Sequence, residues 1–416
     1  MKRTADVIVI GGGIHGCSTA LYLALRGLKP LLIEKDYAGR HASGVNAGGV
    51  RQLARHVAEV PLSVASMELW ERIGDLVDDD CGFECHGQVL VAESEVELAQ
   101  FRARVDDLRL RGYTHEELID QAELRRLVPA VSDTCPGGIV SRRDGAADPF
   151  RTTQAIRRKA IALGATVMEG VGVTGLERHG GTWRVATGAG DFEAPIVVNA
   201  AGAWADRIAA ALGEPVPLEV MALMLMITGR VPAFIEPVVI LRSRKLSFKQ
   251  FANGTVLIGG GHQGRSDRDS NATEIDWGRL AESARTVWEL FPAMRGAEIV
   301  RAWAGIEARM PDDIPVIGPS STAEGVYHQF GFCGHGFQLG PGVGALMAEL
   351  ITTGNTNLPI QPFSIARFGP REPERVSWPL PSGRRSWAGA DRECPPRRLS
   401  PRRRRKMPTE DIRSAF

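Results

Sequence analysis

Short, wholly apolar runs alternate along this chain with longer segments of helical spacing. The first such run is DVIVI (6–10), where β-branched residues fill every position after the aspartate. An unbroken apolar run of that length predicts a strand buried on both faces, as in a parallel sheet. Gly11-Gly12-Gly13-Ile14-His15-Gly16 follows, then a helical stretch to about Leu25 that Gly27 ends, then PLLIE (30–34) as a second strand. Residues 6–34 thus form one βαβ unit. From 60 to 128 the pattern is mostly helical, with strand-like GQVLVA at 87–92, and 154–163 is helical again. ATVMEGVGVTGLE, WRVATG and FEAPIVVNAAGAWAD follow; in the last, VVNAA is a strand running into Gly202 and a helix from about Trp204. Residues 216–300 are strand-rich (PLEVMALMLMIT, VVILRS, KLSFKQFA, TVLIGGG), with one helix from about Trp277 to Phe291. IPVIGPS and GVYHQFGF are the last strands, before a glycine-rich turn and a helix expected over 341–351. Glycines and Pro341 at that helix start predict an N-terminal anion site.

At 416 residues the chain predicts two domains, and 44% hydrophobic with 24% charged residues is the balance of a soluble globular protein. Its longest apolar run, Val220 to Ile227, falls short of the roughly 20 residues that cross a bilayer. The first strand begins at Asp6, leaving no room for a cleavable signal, so a cytoplasmic protein without a transmembrane segment is expected. Six cysteines are scattered, and Cys81 with Cys85 lack a second pair at ligand spacing, so reduced thiols and no metal are expected. The net charge of +1 is uneven: from Gly369 on, 13 Arg or Lys face 6 Asp or Glu among eight prolines, including Arg402 to Lys406. Residues 369–416 therefore predict a disordered basic tail, and the mildly acidic body gives no sign of nucleic-acid binding.

The spacing of the first glycines has a chemical meaning. Gly11 permits the tight turn, Gly13 lets a pyrophosphate approach the backbone, and Gly16 lets helix and strand pack closely. The helix N-terminus turns its partial positive charge to the phosphates. Glu34, at the end of the second strand, is placed to accept hydrogen bonds from an adenosine ribose. These features predict a dinucleotide and leave NAD and FAD open. The small, polar, basic stretch RHASGVNAGGVRQLARH (40–56) suits a loop that passes close to a flat polar ligand. The second strand–Gly–helix junction at Gly202 is expected when a dinucleotide is gripped along its length.

GGGIHGCSTALYLALRG, Glu34, VVNAAGAWAD, GIEARMPDDIPVIGPS and above all GFCGHGFQLGPGVGALMAELI resemble the D-amino-acid oxidase superfamily. Within it the likeness is greatest to the group of sarcosine oxidase β-subunits, glycine oxidases and opine or hydroxyproline dehydrogenases, over about residues 5–368. The resemblance implies an α/β fold in which a Rossmann-like FAD-binding domain (1–80, 146–218 and 301–368) is interrupted by a β-rich substrate domain with a mixed sheet (81–145 and 219–300). It implies that Gly11, Gly13, Ile14, Gly16, Glu34 and Lys35 hold the ADP half of FAD. Ser43, Asn46 and Gly48 would lie near the pyrophosphate and isoalloxazine, and Val173 would meet adenine through its backbone. Ala201, Gly202 and Trp204 would line the middle of the cofactor, with Gly334, His335, Gly336, Phe337 and Gln338 against the flavin. Backbone N–H groups at the start of the last helix could then stabilise negative charge on the reduced ring.

Three positions depart from the covalent and oxidase members of that superfamily. Gly305 stands opposite their tethering cysteine, which implies non-covalent FAD. Leu257 stands where an oxygen-promoting lysine is expected, with Lys245 or Lys249 as alternatives that could reach the ring from a neighbouring strand, and Gln338 stands where a substrate-binding lysine is. The implied reaction is hydride transfer from the Cα–H of an amino acid or secondary-amine amino acid, giving an imine that hydrolyses. Arg51, Arg55 and Arg309 are candidates to fork the substrate carboxylate, or else structural ion pairs. Glu307 either orients a substrate amine or pairs with Arg309, and His335 is expected as a flavin-contacting or structural histidine rather than a general base. A nicotinamide-linked dehydrogenase is disfavoured because the C-terminal glycine motif would have no purpose. A non-catalytic or electron-transfer subunit of a hetero-oligomeric complex remains the alternative.

Overall fold

The structure, a computed structural model, describes residues 3–369. The basic segment from Pro370, with Cys394, lies outside the described residues.

A six-stranded sheet carries the nucleotide fingerprint. Its strands run in the order Val316–Pro319, Val326–Phe330, Ile196–Asn199, Val7–Ile10, Pro30–Ile33, Thr166–Met168. Every neighbouring pair is parallel except the first two strands, which form a hairpin. The unbroken apolar run of the first strand has a direct cause. Val7 and Val9 pack with Ile14, Leu21, Ala155 and Leu346 of the helices on one face, while Ile8 and Ile10 pack with Val173, Val185 and Phe192 of a small four-stranded sheet on the other. A strand covered on both sides needs no polar face.

The second large sheet has eight strands: Ile299–Arg309, Glu219–Arg230, Thr255–Gly259, Leu246–Gln250, Val238–Leu241, Gln88–Ala92, Gly137–Ser141, Glu117–Asp120. It is mixed, because Val238–Leu241 runs parallel to Gln88–Ala92 while the other pairs are antiparallel. Val89, Met224, Phe248 and Ile258 on one face pack with Leu280, Val287 and Leu290 of the helix Trp277–Leu290. The other face meets the nucleotide-binding part, where Gln88 Nε2 donates to the carbonyls of Val50 (3.2 Å) and Gly145 (2.7 Å). The architecture is the α/β one expected, a Rossmann-like unit beside a mixed sheet. Among the described residues no helix is long and apolar enough to cross a membrane.

The structure corrects the sequence at four places. The last helix spans Gly336–Thr353, so it starts five residues before the expected 341 and Pro341 lies inside it. Residues 301–309, grouped above with the FAD-binding segments, belong to an edge strand of the eight-stranded sheet. The strand Glu117–Asp120 and the hairpin Arg265–Asp267/Ala272–Glu274 were not foreseen. The loop over 40–56 contains a short helix, Ala42–Val45.

Candidate functional site

The fingerprint turn is tight enough to require its glycines. Gly11 has φ +112° and a Cβ there would lie 2.4 Å from the Ala200 carbonyl oxygen; a Cβ on Gly16 would lie 2.0 Å from the carbonyl oxygen of Gly11. The first strand, the first helix and the Asn199–Ala201 junction therefore meet with only backbone between them. The Ile14 N–H at the helix start donates to Ser43 Oγ at 2.9 Å, which brings the basic loop against Gly13. Glu34 accepts from the N–H groups of Gly12 (2.6 Å) and Asp36 (2.8 Å), and burial pushes its carboxyl up. Next to it, Lys35 lies with Nζ 3.3 Å from the centre of the Trp204 ring, and burial brings it down to about 8. The Val171 N–H donates to the Glu34 carbonyl, so Val173 starts its strand beside this carboxylate. Gly202 takes φ +54° at the second junction, following Ala201 and leading into Trp204. The structure thus gathers Gly11 to Gly16, Glu34, Lys35, Ser43, Val173 and Ala201 to Trp204 around the fingerprint turn.

Toward the other end, Asn46 closes the short helix by donating to Ala42 and Ser43 carbonyls while its Oδ1 accepts from the Gly48 N–H at 2.7 Å. That helix packs on the edge strand of the eight-stranded sheet. Trp303 Nε1 donates to the Val45 carbonyl at 2.8 Å, and a Cβ at Gly305 would lie 2.6 Å from Val45 Cγ2. Above it the chain turns through Cys333 (φ +54°) and Gly334 (φ +80°) into the last helix. The Gly334 N–H donates to Glu307 Oε1 at 2.8 Å. His15, a bystander on sequence grounds, stacks on Phe332 with ring centres 3.6 Å apart and planes 5° apart. Burial lowers His15 to about 3, so its ring is neutral, and its buried Nε2 has no hydrogen-bond partner among the described residues.

Four charged or polar groups lock this turn from below. Arg55 donates to the His335 carbonyl (2.6 Å) and to Gln338 Oε1 (3.0 Å), and its guanidinium lies 2.9 Å from His335 Nδ1. Glu59, fully buried, lies 3.3 Å from the same Nδ1. His335 is lowered by burial, opposed by Glu59; Glu59 is itself held below the usual carboxylate range, the cations His335 and Arg55 outweighing its burial. Gln338 was expected at a substrate-binding position, but it is fully buried: Ser63 and Arg55 donate to its Oε1, and its Nε2 donates to the Ser63 carbonyl. Its backbone carbonyl accepts from Ser66 Oγ (2.6 Å) and Trp70 Nε1 (2.7 Å). Gln338 therefore fastens the last helix to the helix Val60–Trp70, and its side chain has no free face for substrate. Phe337 packs beside Trp70, and Gly336 against Phe332.

Glu307 does not pair with Arg309. Arg309 is bound to Asp313 at 2.6 Å with Glu219 at 3.8 Å, at the C-terminal end of its strand. The half-buried Glu307 carboxyl is pushed up to about 7 by desolvation, with the Gly334 N–H opposing. Arg51 donates to the Leu53 carbonyl among Asp144, Glu59 and Glu116, whose charges oppose the lowering that its burial causes. One residue here escaped the sequence reading: Glu59 was hidden in an apolar helical pattern. Lys249, one of the two lysines expected within reach of the ring from a neighbouring strand, stands directly across from Leu257.

The glycine turns and the Glu34 carboxylate fit FAD. The family described as "DAO: FAD dependent oxidoreductase" matches residues 6–350. The chain is 26% identical over 375 residues to sarcosine oxidase subunit beta of Rhodobacter capsulatus, covering 88% of this chain and 89% of that one. It is 27% identical to mitochondrial sarcosine dehydrogenase of Mus musculus, covering 91% of this chain but only 43% of that longer protein. Among solved structures, L-proline dehydrogenase from P. horikoshii superposes with TM-score 0.82 at 30% identity, covering 88% of this chain and 98% of that one. Glycine oxidase from Geobacillus kaustophilus superposes with TM-score 0.81 over the same share of this chain, at 23% identity.

Proposed function

The chain belongs to the DAO family of FAD-dependent oxidoreductases, and from that premise we propose that it oxidises the C–N bond of an amino acid or N-substituted amino acid. FAD, when bound, supplies the hydride acceptor. The chain supplies binding, orientation and electrostatics. Gly11, Gly13, Ile14, Gly16, Glu34 and Lys35 would hold the ADP half, Ser43, Asn46 and Gly48 the pyrophosphate and ring edge, and Gly334 to Gln338 the ring. The N–H groups opening the Gly336–Thr353 helix would direct partial positive charge at that ring. The eight-stranded sheet would cover it and keep water from the reacting carbon. We assign the FAD-binding role to the segments around the six-stranded sheet and substrate selection to the eight-stranded one.

The observation that carries this reading is Glu307 on the covering sheet, its carboxyl near 7 and bonded to the Gly334 N–H. At neutral pH such a group holds or releases a proton beside the turn, where an amine must lose one before it is oxidised. The test is an anaerobic panel of glycine, sarcosine, proline, hydroxyproline and opines added to the purified yellow protein. At least one should bleach the colour; if all leave it oxidised, the amine-oxidation reading falls.

A second reading is favoured by the names of two relatives, sarcosine oxidase subunit beta and hydrogen cyanide synthase subunit HcnC, both subunits of larger assemblies. In it the chain works within a hetero-oligomer. Bleaching by the isolated chain at full rate would make partner subunits unnecessary for the chemistry.

A further inference from the structure

The three arginines expected to receive a carboxylate are all engaged. Arg55 holds His335 and Gln338, Arg309 holds Asp313, and Arg51 donates to Leu53 among buried acids. One cation on the covering sheet is not. Lys249 is 6% exposed, yet among the described residues its Nζ has neither a hydrogen bond nor an ion pair. The face of Phe251 lies near it, with the ring centre 4.8 Å away. A buried ammonium in that state lacks the partner that usually accompanies burial.

The sheet register fixes where Lys249 points. Its neighbour Phe248 lies opposite Ile258, and both belong to the hydrophobic core behind the sheet. Lys249 lies opposite Leu257, so both project to the other face. Leu257 in turn lies opposite Ile227, two residues from Leu225 on the strand whose Leu223 pairs with Gly305. Lys249 thus shares the face on which Gly305 meets Val45 of the nucleotide-binding part. Gln88, on the same face, touches Val50 and Gly145, which places this part of the sheet over the chain just after Gly48. The charges Lys249 feels come from Asp148 and Glu84, whose segments adjoin Gly48 through Ala147 and Ala146; neither approaches within ion-pair distance. Burial outweighs them and lowers the ammonium to about 8, so most of it is charged at neutral pH.

We infer that Lys249 receives the carboxylate of the substrate, and so selects amines that bear one near the oxidised carbon. This rests on the amine-oxidation reading for the word substrate, but the anion subsite itself does not. A single ammonium on a flexible stem accepts a carboxylate without the fixed geometry of a guanidinium fork, which suits substrates of differing size.

The experiment compares propionate with its neutral analogue propionamide, each titrated into the flavin-loaded protein and read by perturbation of the flavin absorbance. Wild type should bind propionate more tightly than propionamide. Lys249→Met should lose about 10- to 100-fold of propionate affinity, the value of a hydrogen bond to a charged group, with propionamide unchanged. Lys249→Arg should recover part of the loss. Equal propionate affinity in wild type and Lys249→Met at equal flavin content overturns the inference, as does a loss that affects both ligands alike. If Lys249→Met does not hold flavin, Lys249→Gln and Lys249→Arg are compared in the same titration. If no amine of the panel bleaches wild type while the Lys249-dependent preference persists, amine oxidation falls and the carboxylate site stands.

Discussion

Arg55 donates to the backbone carbonyl of His335 at 2.6 Å, so a side chain from the loop before the second long helix sets the turn that opens the last one. Its second arm, on Gln338 Oε1, extends the grip one helical turn further. The cost of placing this cation inside is visible: burial and the nearby Arg51 lower it to about 9, while Glu59 and Asp144 oppose the shift. Arg55→Met would leave the His335 carbonyl without this donor and the Gln338 amide oxygen with Ser63 alone, and would remove a charge that offsets the burial of Glu59. A loss of about 2–5 kcal/mol in stability is expected, together with lower flavin content. Urea denaturation and the ratio of flavin to protein absorbance check it. Unchanged flavin content in a destabilised variant would separate Arg55 from the cofactor turn.

Gly305 faces Val45, with 2.6 Å between an added Cβ and Val45 Cγ2. The contact that would have to yield is side chain, but that helix is also held by Trp303 Nε1 on the Val45 carbonyl. FAD is therefore expected to be held without a covalent bond, and Gly305→Cys should be less stable by about 1–3 kcal/mol without gaining a tether. Acid precipitation should leave all yellow colour in the supernatant for both proteins. Colour in the pellet of the wild type would contradict the prediction.

Glu307 predicts a definite dependence on pH. Its carboxyl is raised from 4.5 to about 7 in the folded protein, so between those values the folded state binds more protons than the unfolded one. Stability from this group is thus greatest below about 4.5, falls as pH rises through the window, and is lost above about 7. Glu307→Gln keeps an oxygen for the Gly334 N–H and cannot ionise. The melting temperature of the variant should gain on wild type as pH goes from about 5 to about 8. A constant difference across that range would show that Glu307 does not titrate there.

Much of this was legible because it is backbone geometry written in glycine. The Gly11–Gly16 turn follows from one covered strand and one helix, and its sequence admits little else. The last helix was misjudged for the same reason. Gly336, Gly340, Gly342 and Pro341 read as a turn, yet Gly340 packs against Ile14, Gly342 against Ser66 and Gly344 against Ser18, each with under 3 Å to spare for a Cβ. Helices approaching that closely decide the conformation, and local propensity does not. The edge strand Ile299–Arg309 was missed because its first residues are exposed and its pairing partner is distant in sequence. Glu59 is legible only once packing shows that it is inside, and register is what separates Lys249 from Lys245 as the lysine opposite Leu257.

The last prediction concerns the electron acceptor. Leu257 occupies the position at which the resemblance places an oxygen-promoting lysine, and it is buried and apolar. Oxygen gains negative charge as it takes an electron, and a cation at that point lowers the barrier. Lys249 lies one strand away on the same face, but its ammonium is drawn toward Phe251 and, on the inference above, is occupied by a carboxylate. Reoxidation by oxygen should therefore be slow beside that by an artificial dye, as in a dehydrogenase. Leu257→Lys should raise the oxygen rate by at least about 10-fold, the effect of about 1.4 kcal/mol on a barrier, and leave the dye rate nearly unchanged. The measurement is anaerobic reduction with substrate followed by rapid mixing with oxygen or dye. Should oxygen reoxidise wild type as fast as dye, the protein is an oxidase. Slowing of that oxygen rate in Lys249→Met would then identify Lys249, across the sheet from Leu257, as the cation that oxygen uses.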